Sequence, residues 1–248
     1  MSFDSSVFIG RFQPFHTGHL RLIETALEQS NQLIIVLGSA NGPRGLRNPF
    51  TYTERVQMLT EAFKENSVDI SKVHFVGVRD YFYNNDGWIN EVREKVGQIS
   101  RRGKVALVGY AKDSSSSYLN CFSNWSRIEV LTSNNFHATE FRENFLRDAS
   151  SIIKAEGLPE SVQRWLADFS KTVHYESLNA EQLSIDAYKK SWSTAPFPPV
   201  FVTTDVIVTC AEHILLIQRS RAPGKGLWAN PGGFLDPNES ILDCALRE

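Results

Sequence analysis

Two histidines stand three residues apart in "FHTGHL", at His16 and His19, just after an arginine, Arg11, in "GRFQPF". Residues 7 to 11 read as a short buried strand. "HLRLIETALEQ" has helical spacing, with Leu20, Ile23, Ala26 and Leu27 on one face. The histidines therefore fall at a strand-to-helix turn. A helix begins there with unsatisfied backbone N–H groups and the positive end of its dipole, which suits an anion. Two imidazoles at i and i+3 face the same way and can both donate to one phosphate. Arg11 leaves the strand close enough to reach it. Gly18, having no side chain, lets the backbone approach the anion closely.

The elements that must position this turn are an alternation of apolar strands and helices. "QLIIVLG", "KVHFVGV", "KVALVGY" and "RIEVLT" read as further buried strands. Between them lie the loop "SANGPRGLRNPFTY", a helix "TERVQMLTEAFKE" with Thr53 as its cap and Val56, Leu59 and Phe63 on one face, and a helical stretch around "GWINEVREKV". This pattern predicts an α/β fold with a parallel sheet covered on both faces and ligands at the carboxyl ends of the strands. From about residue 139 the chain reads as helices: "TEFRENFLRD", "PESVQRWLADF" and "NAEQLSIDAYKK". "STAPFPP" has three prolines in four residues and reads as a stiff linker. Beyond it, "VFVTTDVIVTCAEHILLIQRS" reads as two strands joined at "AEH". The expected division is a first domain over residues 1–190, a linker over 191–199 and a second domain over 200–248.

The 248 residues suffice for one large or two medium domains, and 42% hydrophobic with 22% charged residues suits a globular chain. A net charge of −2 argues against nucleic acid as a partner. Cys121, Cys210 and Cys244 are scattered, without zinc spacing, which fits a reduced cytoplasm. No basic-then-apolar leader and no run near the ~20 apolar residues of a membrane span are present. A homo-oligomer is left open.

Together "GRFQPFHTGH", "RNPFT", "DYFYNNDGW" and "HATEFR" resemble the archaeal-type nicotinamide mononucleotide adenylyltransferases, over roughly residues 5 to 170. "KGLWANPGGFLDPNES" and the closing "RE" resemble the opening of a Nudix box. The resemblance is thus to the bifunctional adenylyltransferase/Nudix hydrolase proteins. It implies a Rossmann-like nucleotidyltransferase domain with a parallel sheet and C-terminal helices, followed by the N-terminal part of an α+β Nudix domain.

By this resemblance the chain forms NAD and pyrophosphate from ATP and nicotinamide mononucleotide, with Mg²⁺ bridging the phosphates of ATP. His16, His19, Arg11 and Arg142 would be catalytic. Gly10, Phe12, Gly18, Arg47 and Thr139 would line the ATP phosphates, Thr139 as the N-cap of its helix. "HATEFR" departs from the family's S-x-T-x-x-R motif at His137, where a serine hydroxyl is expected. Trp88 would stack on the nicotinamide ring, with Asn84 or Asn85 near its carboxamide. Gly233, Glu239, Arg247 and Glu248 would occupy the first four Nudix-box positions, with Glu248 a metal ligand in an intact domain. The glutamate pair expected after them lies beyond Glu248, so no hydrolase activity is expected of this chain. Competing readings are adenylyl or cytidylyl transfer to another phosphate such as phosphopantetheine, and a non-catalytic sensor of NAD metabolites.

Overall fold

The computed structural model describes residues 2–101, 103–109, 119–130 and 137–248. It divides into two compact units, Met1–Leu178 and Asn179–Glu248. The division falls inside a long helix rather than at the expected 191–199 linker.

In the first unit, strands β1 (Phe3–Gly10), β2 (Ser30–Leu37), β3 (Val73–Gly77), β4 (Val105–Gly109) and β5 (Ser126–Glu129) form one sheet in the order β3-β2-β1-β4-β5. All its pairings are parallel. The expected ends of two strands, at Tyr110 and at Leu131 and Thr132, lie outside the described residues. Helices α1 (Thr17–Gln29), α2 (Tyr52–Glu65), α3 (Asn85–Ile99), α4 (Ala138–Arg147) and α5 (Glu160–Phe169) surround the sheet.

The strand side chains alternate between two cores, as a period of two requires. Phe8, Leu33, Ile35, Leu37, Ala106 and Val108 pack with residues of α1, α2, α4 and α5. Val7, Ile9, Ile34, Val36 and Leu107 face the other way, with Val92 and Val96 of α3. Burial on both faces explains why the strands read as unbroken apolar runs. The strand order reverses between β1 and β4, and a sheet of this kind opens a crevice for ligands there, outside the strand carboxyl ends.

Two helix caps differ from the sequence expectation. Helix α2 begins two residues earlier than Thr53 implies: Thr51 is its cap, its hydroxyl accepting from Glu54 N–H at 3.3 Å while Glu54 Oε2 accepts from Thr51 N–H at 2.7 Å. The spacing Thr-x-x-Glu satisfies two orphan donors at once, which Thr53 could not do. Helix α4 is capped at His137, whose backbone is still extended, so Thr139 is an exposed residue of the first turn and not the cap.

Helix α6 (Val173–Ser191) runs across the division. The second unit pairs β6 (Thr203–Asp205) with β11 (Gly232–Phe234), β7 (Thr209–Cys210) with β8 (His213–Ile214), and β9 (Ile217–Gln218) with β10 (Trp228–Ala229), all antiparallel, and adds α7 (Ile241–Arg247). The turn expected at "AEH" is present. Ala211 and Glu212 both have positive φ, 45° and 65°, the backbone a two-residue hairpin loop demands. The two long strands expected around it are instead short pieces, each paired with a single partner. No helix among the described residues is long and apolar enough to cross a membrane.

Candidate active site

His16 is the residue before α1, with an extended backbone, and His19 is the third residue of the helix. His16 N–H donates to His19 Nδ1 at 3.3 Å. A ring nitrogen that accepts cannot carry the proton, so in the neutral imidazole the proton sits on Nε2. The two rings stack with centroids 3.7 Å apart. His19 is further held by Phe12 at 4.9 Å, Phe15 at 5.6 Å and Phe8 at 5.9 Å between centroids. An imidazole so surrounded has its direction fixed by packing rather than by solvent.

Two glycines make room for this arrangement. A Cβ on Gly18 would come within 3.0 Å of Cε1 and Nδ1 of the His16 ring. A Cβ on Gly10 would lie 2.9 Å from the Phe12 ring. Gly18 thus serves the packing of His16 directly. Phe12 has a positive φ of 52° and is 2% exposed, so it is not a nucleotide-lining side chain as expected from the sequence; its ring fills the space between Gly10 and His19.

We expect Gly18→Ala to separate activity from stability. Alanine favours a helix over glycine by roughly 0.5–1 kcal/mol, so melting temperature should not fall. Turnover should fall by about tenfold, because a small displacement of a phosphate-binding group has that scale of effect. Thermal unfolding and steady-state rates on one preparation check both.

The cationic groups converge from three segments, Arg11 after β1, Arg47 in the loop before α2 and Arg142 on α4. Arg11 follows β1, and its Nη1 is buried with no hydrogen-bond partner among the described residues. Arg142, on α4, is buried; Nη1 donates to the Gln13 carbonyl at 3.2 Å, and Nε is likewise buried without a partner among the described residues. Both guanidinium groups hold their protons less tightly than usual. For Arg11 the cause is burial, then Arg47, with Asp80 opposing; for Arg142 it is burial, then Arg11, with Glu143 opposing and Arg47 adding. Buried cationic donors that repel one another and lack acceptors form a site for an anion.

Gln13 ties the motifs together. Its side chain exchanges two hydrogen bonds with the Phe50 backbone, Nε2 to the carbonyl at 2.8 Å and Oε1 from N–H at 3.0 Å. Its own carbonyl receives Arg142. One residue of "GRFQPF" therefore fixes both "NPFT" and "TEFR". Its role was not foreseen, although an amide inside an aromatic run is a signal: a buried amide must find partners.

Beside these groups lies a cavity of about 590 Å³ that Arg11, Arg47, Ser39, Asp80, Asn85 and Trp88 help line. His16, His19 and Arg142 are not on its wall, and Arg11 joins the two parts of the site. Trp88 is half-buried in α3 and meets Phe122 edge-on at 5.8 Å, and Phe122 stacks on Trp125 at 4.5 Å. Trp88 thus both packs on the core and lines the cavity. Asn85 faces the cavity. Asn84 caps α3 instead, its Oδ1 accepting from Gly87 N–H at 2.9 Å. Asp80, which accepts from the Ser39 hydroxyl at 2.9 Å, is a carboxylate in the cavity that sequence reading did not single out.

In the second unit the four residues expected in the Nudix box, Gly233, Glu239, Arg247 and Glu248, meet. Arg247 donates to Glu239 through Nε at 2.8 Å and Nη2 at 2.9 Å, and to Glu248 at 2.6 Å. The forked contact with Arg247 holds the Glu239 carboxyl down at about 2. Gly233 lies close against the Glu248 carboxylate, and a Cβ there would push that side chain aside.

Comparison with known proteins accords with this geometry. Residues 7–82 match the cytidylyltransferase-like family and residues 200–248 the NUDIX domain. The nicotinamide/nicotinic acid mononucleotide adenylyltransferase of Acinetobacter baylyi is 37% identical over 187 residues, 75% of this chain and 96% of that protein. The nicotinamide-nucleotide adenylyltransferase of Ignicoccus hospitalis is 41% identical over 91 residues, 37% of this chain and 53% of that one. A crystal structure of a bifunctional NMN adenylyltransferase/ADP ribose pyrophosphatase from Francisella tularensis superposes with a TM-score of 0.89 at 40% identity, covering 99% of this chain and 72% of that one. With the paired histidines, the converging arginines and a near full-length relative at this identity, the chain belongs to the nicotinamide mononucleotide adenylyltransferase family and carries Nudix sequence in its second unit.

Proposed function

We propose that this chain transfers the adenylyl group of ATP to the 5′-phosphate of nicotinamide mononucleotide, giving NAD and pyrophosphate. The observation that carries the reading is the pair of buried guanidinium nitrogens of Arg11 and Arg142 that have no hydrogen-bond partner among the described residues, together with His16 and His19 at the start of α1. An oxygen of the acceptor phosphate forms a bond to the α-phosphorus as the bond to the bridging oxygen breaks. The electron pair leaves with pyrophosphate. The protein's work in such a step is alignment and neutralisation of charge. His19, donating from Nε2, and His16 would bind α- and β-phosphate oxygens, with Arg11 and Arg142 as forked cations and Arg47 at the cavity edge. Gly10 and Gly18 support this by leaving space, and Thr139 offers a hydroxyl in the first turn of α4. Trp88 and Asn85, on the cavity wall, would contact the nicotinamide nucleotide.

Among the described residues no group of three or more His, Cys, Asp or Glu side chains could hold a metal ion. The phosphate site is cationic, so Mg²⁺ would arrive on the ATP phosphates. A related structure from Francisella tularensis is a complex with AMP and a manganese ion, in keeping with use of a divalent cation. The reading would put the reaction in the cytoplasm, a reducing compartment that free thiols at Cys121, Cys210 and Cys244 suit.

The test is pyrophosphate release from ATP and Mg²⁺ with nicotinamide mononucleotide, nicotinate mononucleotide, phosphopantetheine and glycerol 3-phosphate as separate acceptors. NAD or its acid analogue should form; a preference for either of the last two acceptors overturns the reading.

For the second unit we propose that the polypeptide of residues 1–248 does not hydrolyse ADP-ribose. Attack of metal-bound water on a pyrophosphate needs a cation held by several carboxylates. Glu239 and Glu248 are both engaged by Arg247. AMP and ribose 5-phosphate appearing at enzymatic rates with Mg²⁺ or Mn²⁺ would refute this.

A further inference from the structure

Arg55 lies in α2, four residues after the cap Thr51, and its side chain is entirely buried. Its position is unfavourable on three counts. A cation near a helix N-terminus meets the positive end of the dipole. A buried charge loses its hydration. No carboxylate lies within 4 Å of it among the described residues, and the neighbouring Glu54 is taken by Arg44 at 2.8 Å.

What Arg55 does touch is backbone. Nη1 donates to the Arg11 carbonyl and to the Gly38 carbonyl, each at 2.8 Å. Nη2 donates to the Ser39 carbonyl at 3.3 Å and Nε to the Thr51 carbonyl at 3.3 Å. The first three carbonyls belong to the segments leaving β1 and β2, where the ligand crevice opens. Arg11 brings to the phosphate site an Nη1 with no hydrogen-bond partner among the described residues, and Ser39 holds Asp80 on the cavity wall. The Arg55 charge is also felt there: burial and the Arg11 charge pull its own pKa down to about 10, against Asp80 and Tyr52.

We propose that Arg55 is a positioning residue for the adenylyl transfer, its guanidinium clamping the carbonyls of Arg11, Gly38 and Ser39 so that the Arg11 side chain is held toward the triphosphate. The inference rests on the proposed reaction, and it explains why so costly a group stands at this point. A lysine cannot replace it, because an ammonium has one donor centre and cannot span carbonyls on two strand ends. Among the described residues no carboxylate lies within 4 Å of the Arg55 charge, which Asp80 offsets from farther off, so a bound polyphosphate would add the closer counter-charge.

A double-mutant cycle with Arg11 tests the clamp. In wild-type background Arg55→Lys should lower kcat/KM by about tenfold or more, the scale of a misplaced binding group. In an Arg11→Ala background the same change should cost less than about twofold, since there is no side chain left to misplace. Equal losses in both backgrounds, measured on folded protein, would reduce Arg55 to a stabilising residue and overturn the proposal. The same four proteins are to be titrated with inorganic tripolyphosphate, whose affinity should show the same non-additivity. If wild-type protein binds tripolyphosphate but makes no NAD, the proposed reaction fails while this cycle still decides the clamp. Should the lysine variant not fold, wild-type protein suffices: the Arg55 Nε–H resonance should be slow to exchange and should shift on saturation with tripolyphosphate. An unmoved resonance would overturn the coupling.

Discussion

Replacing His19 by alanine should lower kcat by on the order of a hundredfold or more, the range found when one preorganised donor to transition-state charge is removed. Its Nδ1 already accepts the His16 backbone N–H, so the proton it can offer is on Nε2. Its plane is set by Phe8, Phe12, Phe15 and the stacked His16. Such a donor needs no reorientation as charge moves onto the leaving pyrophosphate. The ground state gains less from it, so KM for ATP should change by less than kcat. The variant also loses a first-turn contact and some aromatic packing, and melting temperature should drop by a few degrees. The two effects are separable. Were His19 only a packing residue, the melting temperature would fall and the folded fraction would keep its normal turnover.

The sheet and the histidine pair were readable for physical reasons. A parallel strand buried on both faces must be apolar throughout, and "QLIIVLG" and "KVALVG" are. A glycine between two histidines at a strand-to-helix turn has few purposes other than close approach. What the sequence concealed is the set of residues whose role is to hold others. Arg55 shows this well. Arginine in the first turns of a helix suggests solvent, yet Arg55, Met58, Leu59 and Ala62 follow the i, i+3, i+4, i+7 spacing of one face, and all four are buried. The periodicity was present; the chemical type masked it. Thr139 fails in the opposite way. Its type suits a cap, but the cap position is set by where extended backbone ends, at His137, and that depends on the incoming chain. Asn84 and Asn85 are alike in type and adjacent. Only the start of α3 decides that the first satisfies a backbone N–H and the second faces the cavity.

Arg142→Lys should also impair the enzyme, by on the order of tenfold or more in kcat/KM, and its defect should depend on pH. Arg142 divides its donors: Nη1 holds the Gln13 carbonyl, while Nε is buried with no partner among the described residues. A planar fork can serve both directions, and an ammonium on a flexible stem cannot. A second cost is electrostatic. Burial and the charges of Arg11 and Arg47 already make Arg142 give up its proton more readily than usual. Arginine starts so high, above ~12, that it stays charged regardless, whereas lysine starts near ~10.4. Under the same burial and repulsion the lysine pKa falls, so the ammonium population of the variant shrinks as pH rises. The sign follows: the ratio of wild-type to variant activity should be smallest near neutral pH and should widen toward pH ~9, approaching the lowered lysine pKa. Rates with ATP and nicotinamide mononucleotide across that interval measure it. A lysine variant within twofold of wild type at every pH would mean that only a positive charge is needed at this position. A tenfold defect that does not vary with pH would instead assign the whole effect to lost fork geometry, because a fully charged lysine leaves shape as the sole difference.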